Sequence, residues 1–490
     1  MLSPAPGTAS TSPSADPPAD AAPPEVALPP TPRSWRLFIL GGLVVIALVA
    51  YFGSAGFRTA GDSQSAQRIQ AGCGICIFLG LAALFSVSLQ SVSWKTILWG
   101  VGLQFTLAIA VLHSRYVRMV FEAVGDRIKA LITASDRGAE FVFGDLAKVN
   151  GPLHFVFAFK ALPPIIFVSA FFSVLYYLGI LQLFVRLMAR AMMYMMGTSG
   201  AETLSVAANV FMGQTEAPLI VKPFVPKMTR SELLALMGSG MAHISGGMMA
   251  VYISYGADPV SILCTCVMAC PASLYLTKLI QPEAGKPETL GESRIIAETP
   301  YVNAIDAAAA GVKDGLWLAL NVAAMLIAFI AFMAMFDIML GNIKPLLVEA
   351  GLPKHRLHWW PDNLKLEMIF GWLFAPVAFL LGVEPGECDP VGRLLGIKLA
   401  ANEHVAYLTL SGKLPDTEHF KALSPRSRQL AIFALTGFAN FASVGIQLGG
   451  IGAIAPGRRS DLAKLGMKAL FIGFLATLLN SAVAGMLMAE

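Results

Sequence analysis

Charge is what this sequence has least of. Only 13% of its 490 residues are Asp, Glu, Lys or Arg, and 56% are hydrophobic without counting 45 glycines. An ordinary soluble domain carries roughly 25% charged residues. The deficit, spread over many long apolar runs, excludes a soluble globular protein and requires a polytopic membrane protein. No basic patch interleaved with aromatics is present, so the net charge of +4 gives no reason to expect nucleic acid. It fits cytoplasmic Lys and Arg on a membrane protein. A disulfide framework is also missing. The six cysteines are Cys73, Cys76, Cys264, Cys266, Cys270 and Cys388, and five of them lie inside apolar helical runs. The Cys73/Cys76 spacing matches a redox or metal pair, but its apolar flanks favour packing. Neither HExxH nor GxSxG occurs in a context that suits catalysis.

Polar residues are therefore informative wherever they interrupt the apolar runs. The first such interruption is Asn209-Val-Phe-Met212-Gly213-Gln214-Thr215-Glu216-Ala-Pro218. At membrane depth a polar break is tolerated only where protein buries it or it lines a cavity. An intramembrane carboxylate such as Glu216 is a functional-site candidate by default. Asn402-Glu403-His404 is the second interruption. The rest of the chain reads as a scaffold that brings the two together.

Residues 1–34 hold ten prolines among Ala, Ser and Thr and read as a disordered cytoplasmic tail. Residues 35–68 read as an extra N-terminal transmembrane helix and loop, with Arg33 and Arg36 placing the N-terminus inside. Residues 69–160 carry scaffold spans and an amphipathic interfacial helix over 115–132. Residues 161–283 form the first half of a transport core, with a span over 162–187 and a re-entrant hairpin between Thr198 and Val225. Residues 284–345 give a further interfacial helix and a scaffold span. Residues 346–490 give the second half, with a hairpin whose arms are 364–381 and 391–410, joined at Glu384–Pro390. The expected fold is all-α, with nine crossings and two hairpins. The N-terminus is then inside and the C-terminus outside. Arg458, Arg459, Lys464 and Lys468 fall inside as the positive-inside rule prefers, whereas Lys413, Lys421, Arg426 and Arg428 fall outside against it.

An internal repeat supports this plan. Arg230-Ser231 leads to Gly240-Met-Ala-His243-Ile-Ser245-Gly246, and Arg426-Ser427 leads to Gly437-Phe-Ala-Asn440-Phe-Ala-Ser443. Each stretch follows a hairpin carrying a carboxylate, Glu216 or Glu403. The two run in opposite directions across the membrane. Paired interrupted segments in inverted halves point to a transporter site at the midplane.

Gly213-Gln-Thr-Glu-Ala-Pro218, Asn402-Glu-His-Val-Ala-Tyr407, Gly437-Phe-Ala-Asn-Phe-Ala-Ser443 and Ala455-Pro-Gly-Arg-Arg459 resemble the concentrative nucleoside transporters. The resemblance runs from about Ile69 to the C-terminus. It implies a homotrimer in the inner cell membrane, importing nucleosides such as uridine or adenosine by an elevator motion driven by an ion gradient. By motif match, Gln214, Thr215, Glu216 and Met248 hold the base, and Glu403, Asn440, Ser443 and Phe438 hold the ribose. An amide suits the edge of a base, and a carboxylate can accept from vicinal hydroxyls. Bland roles compete with each assignment. Gln214 and Thr215 can cap hairpin arms. Glu403 can pair with a buried Lys such as Lys398. Asn440 and Ser443 can be helix-packing polars, and Met248 and Phe438 can be core.

The resemblance also implies a sodium site built from Asn209, the carbonyls of Met212 and Ile244, and a hydroxyl at the position occupied here by His243. Sodium is a hard cation that wants oxygen, whereas imidazole suits transition metals. Two outcomes follow. Either His243 turns away and Ser245 or water supplies the oxygen, or coupling is to protons, carried by a His that titrates in the physiological range. No other cofactor is expected. An intramembrane hydrolase built on Glu403-His404 is disfavoured because adjacent helical residues point different ways. A channel fits inverted hairpins less well than alternating access does.

Overall fold

A computed structural model describes residues 24–148, 156–160, 162–291, 301–353, 357, 360–414 and 417–488. Among the described residues the chain is helical, and its one β feature is an isolated bridge between Ser199 and Leu290. Most of the expected disordered tail, residues 1–23, lies outside this description. From Pro24 onward the expectation is corrected, because the chain is tied down. Val26 N–H donates to the Ala284 carbonyl at 2.9 Å and Thr31 N–H to the Val87 carbonyl at 3.0 Å. Glu25 accepts from Arg230 N–H at 2.6 Å.

Among the described residues, five α-helices precede the first repeat. They are α1 (Arg33–Thr59), α2 (Ser63–Leu84), α3 (Trp94–His113), α4 (Arg115–Phe143) and the single turn α5 (Phe157–Lys160). The amphipathic helix α4 runs past the expected end at 132. Its inward stripe includes Gly125, Ile128, Ser135 and Ala139, while Val120 and Val124 face out. Gly125 allows the approach to Pro259, whose Cβ would lie 2.7 Å from an added Cβ.

The first repeat is α6 (Leu162–Tyr177), α7 (Ile180–Met196), α8 (Gly200–Ala208), α9 (Ala217–Ile220), α10 (Arg230–Ala242), α11 (Gly246–Ser254) and α12 (Pro259–Ile280). The expected continuous span over 162–187 is corrected. Gly179 adopts φ 79°, a left-handed conformation that suits glycine, and α7 restarts beyond it as a separate helix. The hairpin α8–α9 is rooted in buried polar contacts. Ser199 and Glu202 form a capping box on α8, and Thr229 and Glu232 form another on α10. Lys278 ties both roots together, pairing with Glu202 at 2.8 Å and accepted by Ser231 Oγ at 3.0 Å.

The second repeat is α13 (Ala304–Gly341), α14 (Ile343–Glu349), α15 (Leu366–Leu380), α16 (Cys388–Ala400), α17 (Glu403–Leu410), α18 (Pro425–Leu435), α19 (Phe441–Ile454) and α20 (Arg459–Leu487). Two expectations are corrected here. Within 284–314, the described stretch 284–291 is non-helical and 304–314 is the start of α13, capped by Asn303, rather than an interfacial helix. The turn at Glu384–Pro390 joins α15 to α16, but the re-entrant tip is the next break, at Ala401-Asn402. There α16 and α17 fold against each other, and Asn402 caps α17 by accepting from Val405 N–H at 2.9 Å.

Eight helical stretches among the described residues are long and apolar enough to cross a membrane. The expected crossing at 429–450 is the pair α18–α19, interrupted over 436–440 just as α10–α11 is interrupted over 243–245. The centre of the molecule is α10, α12 and α20. The apolar window of α12 is 94% buried, that of α13 only 11%, which puts α13 at the periphery. Packing groups the helices differently from chain order: α2 lies on α20, α3 on α12, and α6 runs along α13. The α6–α13 seam is made of small residues. A Cβ on Gly311 would sit 2.6 Å from the Ala170 Cα, and one on Gly315 2.7 Å from the Ile166 Cα. Small residues four apart let membrane helices touch backbone to backbone.

Candidate functional site

The two hairpin tips and the two interrupted helices meet. Gly246 N–H donates to the Phe211 carbonyl at 2.9 Å, stitching the first tip to the first interruption. Phe438 N–H donates to the His243 carbonyl at 3.1 Å, stitching one interruption to the other. Gln214 Nε2 donates to Ser443 Oγ at 3.2 Å, joining the first tip to the second repeat. Around these contacts lies a cavity of about 730 Å³, within the range of small-molecule sites.

All eight residues expected to hold a nucleoside line this cavity. Gln214, Thr215, Glu216 and Met248 come from the first repeat, and Glu403, Phe438, Asn440 and Ser443 from the second. Glu403 is fixed at both oxygens: Oε1 accepts from Tyr252 at 2.9 Å and Oε2 from Asn440 Nδ2 at 3.0 Å. Each oxygen keeps a further lone-pair direction open. Asn440 in turn caps α19, accepting from Ser443 N–H at 2.9 Å. Tyr252 is braced by stacking on Tyr407, with centroids 4.1 Å apart at 11°. On the first repeat, Glu216 accepts from Gly213 N–H at 3.1 Å. The buried Gln214 Oε1 has no hydrogen-bond partner among the described residues. Lys398 is not the partner of Glu403; it donates to the Ala434 carbonyl at 2.7 Å and to Thr477 Oγ1 at 2.8 Å.

The opposite wall was not foreseen. It comes from α13, through Asp314, Trp317, Asn321 and Met325. The signal was present as two polar residues, Asp314 and Asn321, seven apart on one face of an apolar helix. Tyr252 was also missed, because a tyrosine in an apolar helix carries no mark of what its hydroxyl reaches. A smaller cavity of about 290 Å³ adjoins the first and shares Glu216, Leu219, Ser245 and Asp314 with it.

The residues expected around the ion gather at the junction of α8, the first tip and the first interruption. Asn209 caps α8, and its Nδ2 donates to the Ser205 carbonyl at 3.2 Å and Ser239 Oγ at 3.1 Å. Its Oδ1 is buried with no hydrogen-bond partner among the described residues. Met212 lies in the tip and Ile244, fully buried, in the interruption. His243 does not offer its ring to this junction. Nδ1 faces the Ser239 carbonyl at 2.7 Å, so Nδ1 carries the proton and donates, and Nε2 faces Cys270 Sγ at 3.3 Å. Ser245 caps α11, accepting from Met248 N–H at 3.4 Å. Among the described residues no group of three or more His, Cys, Asp or Glu could hold a metal ion.

Three family profiles cover most of the chain. "Na+ dependent nucleoside transporter N-terminus" matches residues 73–146, "Nucleoside recognition" matches 158–259, and "Na+ dependent nucleoside transporter C-terminus" matches 261–485. The chain belongs to the concentrative nucleoside transporter family. It is similar to "Sodium/nucleoside cotransporter 1" of Mus musculus, 37% identical over 452 residues covering 90% of this chain and 67% of that one. An uncharacterized transporter of Haemophilus influenzae is 38% identical over 416 residues, covering 84% and 96%. Among solved structures, CNTnw in an inward-facing substrate-bound state is 34% identical with a TM-score of 0.76, covering 85% of this chain and 97% of that one. A doubly substituted CNTnw in an outward-facing state reaches a TM-score of 0.78 at 33% identity, covering 86% and 99%. As a concentrative nucleoside transporter the chain is a multi-pass membrane protein and not an enzyme.

Proposed function

We propose that this transporter imports nucleosides across the inner membrane with sodium, carrying them between outward- and inward-facing states by an elevator motion. The observation that carries this reading is the single cavity in which both hairpin tips converge. Glu403, Asn440, Ser443 and Phe438 receive the ribose. The doubly braced carboxylate meets the vicinal hydroxyls, and charge-assisted bonds of this kind are strong. Gln214, Thr215, Glu216 and Met248 receive the base, for which the Gln214 Oε1 offers an unused acceptor. The ion sits at Asn209, with the carbonyls of Met212 and Ile244. The unpartnered Asn209 Oδ1 is a hard oxygen ligand of the kind sodium prefers. With both ring nitrogens of His243 facing protein partners, sodium is favoured over a proton carried by that ring.

The moving part comprises the hairpins and interrupted helices. The seam α6–α13 provides the wall they slide against. Apolar side chains such as Leu320, Ile327, Ile330 and Met335 remain exposed on α13, a face that lipid covers in a monomer and that two further copies would cover in a homotrimer. Glu25 of the N-terminal segment meets Arg230, and residues 25–28 line one cleft together with Arg230 and Arg458. This supports a cytoplasmic N-terminus.

The test is uptake of radiolabelled uridine and adenosine into proteoliposomes under an inward sodium gradient and, separately, an inward proton gradient. Accumulation with sodium alone is expected. Accumulation with protons alone refutes the ion assignment, and no accumulation of either nucleoside refutes the substrate.

A further inference from the structure

The base end of the cavity is built from acceptors. Three carboxylates line the cavity, Glu216, Asp314 and Glu403, and among the described residues no Lys or Arg does. Glu403 is taken by the ribose, which leaves Glu216 and Asp314 for the base. Among the described residues neither is in an ion pair. Glu216 uses Oε2 on Gly213 N–H at 3.1 Å, which leaves Oε1 for a ligand. Gln214 adds a third acceptor. It is 7% exposed, its Nε2 is engaged with Ser443 Oγ at 3.2 Å, and its Oε1 has no partner among the described residues.

Asp314 is presented by a rigid element. Asp314, Trp317, Leu318, Asn321, Val322 and Met325 follow the three- and four-residue spacing of one helix face, and all line the cavity. Beside Asp314, Gly311 and Gly315 hold α13 backbone to backbone against α6. Glu216, by contrast, lies on the first hairpin tip. Both carboxylates border the main cavity and the smaller one beside it, so they stand at the neck between the two. The exposed Lys222 lines the smaller cavity only. A carboxylate on a membrane helix is costly and marks a functional position.

We propose that the carrier selects nucleosides whose base bears an exocyclic amine, cytidine and adenosine over uridine and inosine, and that Asp314 sets the preference. The inference rests on placing the base at the first tip. An amine offers two hydrogens from one nitrogen, on the base edge remote from the sugar. Glu216 receives one and Asp314 the other, so the amine bridges the hairpin tip and the fixed wall. In uridine or inosine a keto oxygen stands in its place. That oxygen offers no hydrogen and turns its lone pairs towards two carboxylates. The neighbouring ring N–H supplies a single hydrogen, which satisfies one wall and not both. A site built to receive a ligand N–H rejects the analogue that lacks it, because its acceptors are left unpaired.

Two matched pairs test this in the unaltered protein, cytidine against uridine and adenosine against inosine. The members of each pair differ only at the amine or keto group and the ring nitrogen beside it. Uptake kcat/KM into proteoliposomes under an inward sodium gradient should favour the amine by about tenfold or more in both pairs. That is the value of one hydrogen bond to a charged acceptor. Equal values, or a keto preference in either pair, overturn the proposal. Asp314→Asn replaces an acceptor by a group that also donates. The preference should fall to about twofold or less, with the amine member losing and the keto member gaining. Asp314→Ala should lower the preference without improving the keto member, and Asp314→Glu, which keeps the acceptor, should retain it. A full-sized amine preference in both Asp314→Asn and Asp314→Ala overturns the role of Asp314. If neither of these folds, the two pairs in the unaltered protein decide. Equal uptake of all four nucleosides overturns the preference and leaves the nucleoside reading intact. Uptake of none refutes that reading, and the preference falls with it.

Discussion

The two hairpin tips do similar jobs with different amounts of freedom. The second is short: two residues, Ala401 and Asn402, separate α16 from α17, and the Glu403 that follows is held at both oxygens. The first tip runs from Asn209 to Glu216 through loose turns, and both Asn209 Oδ1 and Gln214 Oε1 stay unpartnered among the described residues. One tip is organised before any ligand arrives. The other keeps acceptors in reserve. Preorganisation lowers the cost of binding a group that never changes, which suits the ribose common to all nucleosides. Reserve acceptors suit groups that vary or that come and go, namely the base and the ion.

The strongest way to break this contrast is Glu403→Ala. It should lower uptake kcat/KM by about a hundredfold or more, since two charge-assisted hydrogen bonds are worth roughly 3 kcal/mol. The loss should be alike for uridine and adenosine, and a base-dependent loss would show that the second tip does not read the shared sugar. Tyr252→Phe sharpens the contrast by removing one brace and no ligand group. A rise in KM of about fivefold is expected, near the value of one hydrogen bond, with unchanged sodium activation. A silent Tyr252→Phe would mean that bracing the carboxylate contributes nothing. The smallest effect belongs to His243→Ser, which places a hydroxyl beside the first tip. Half-activating sodium should fall by less than about threefold, a few tenths of a kcal/mol. No change would leave the imidazole as a helix-end partner only.

Much of the site was legible because polar residues are costly in apolar surroundings. Gln214-Thr-Glu216 and Asn402-Glu403 declared themselves that way, and the structure brings both to one cavity. The position of the second tip was misread because Glu384-Pro-Gly-Glu-Cys-Asp-Pro390 has far stronger turn chemistry than Ala401-Asn402. The shorter break is set by tertiary packing of α16 against α17, which leaves little local trace. Gly179 ends α6 through a left-handed backbone that an apolar run conceals. The wall formed by α13 and its seam were both encoded, in Asp314 and Asn321 and in Gly311 and Gly315. Each depends on reading the spacing of single residues inside a helix whose overall composition is uniformly apolar.

The length of α13 has a consequence for the lipid. Its 38 residues extend about 57 Å at 1.5 Å per residue, while a bilayer's hydrocarbon layer is about 30 Å thick. Such a helix must lean steeply or project well into the headgroups and water. Because its backbone is pressed against α6, it cannot adjust its lean alone, and the pair must tilt as one. Lipids around this post are therefore asked to stretch or thin to meet a rigid object. Membrane thickness thereby becomes a mechanical input to the carrier that moves beside it.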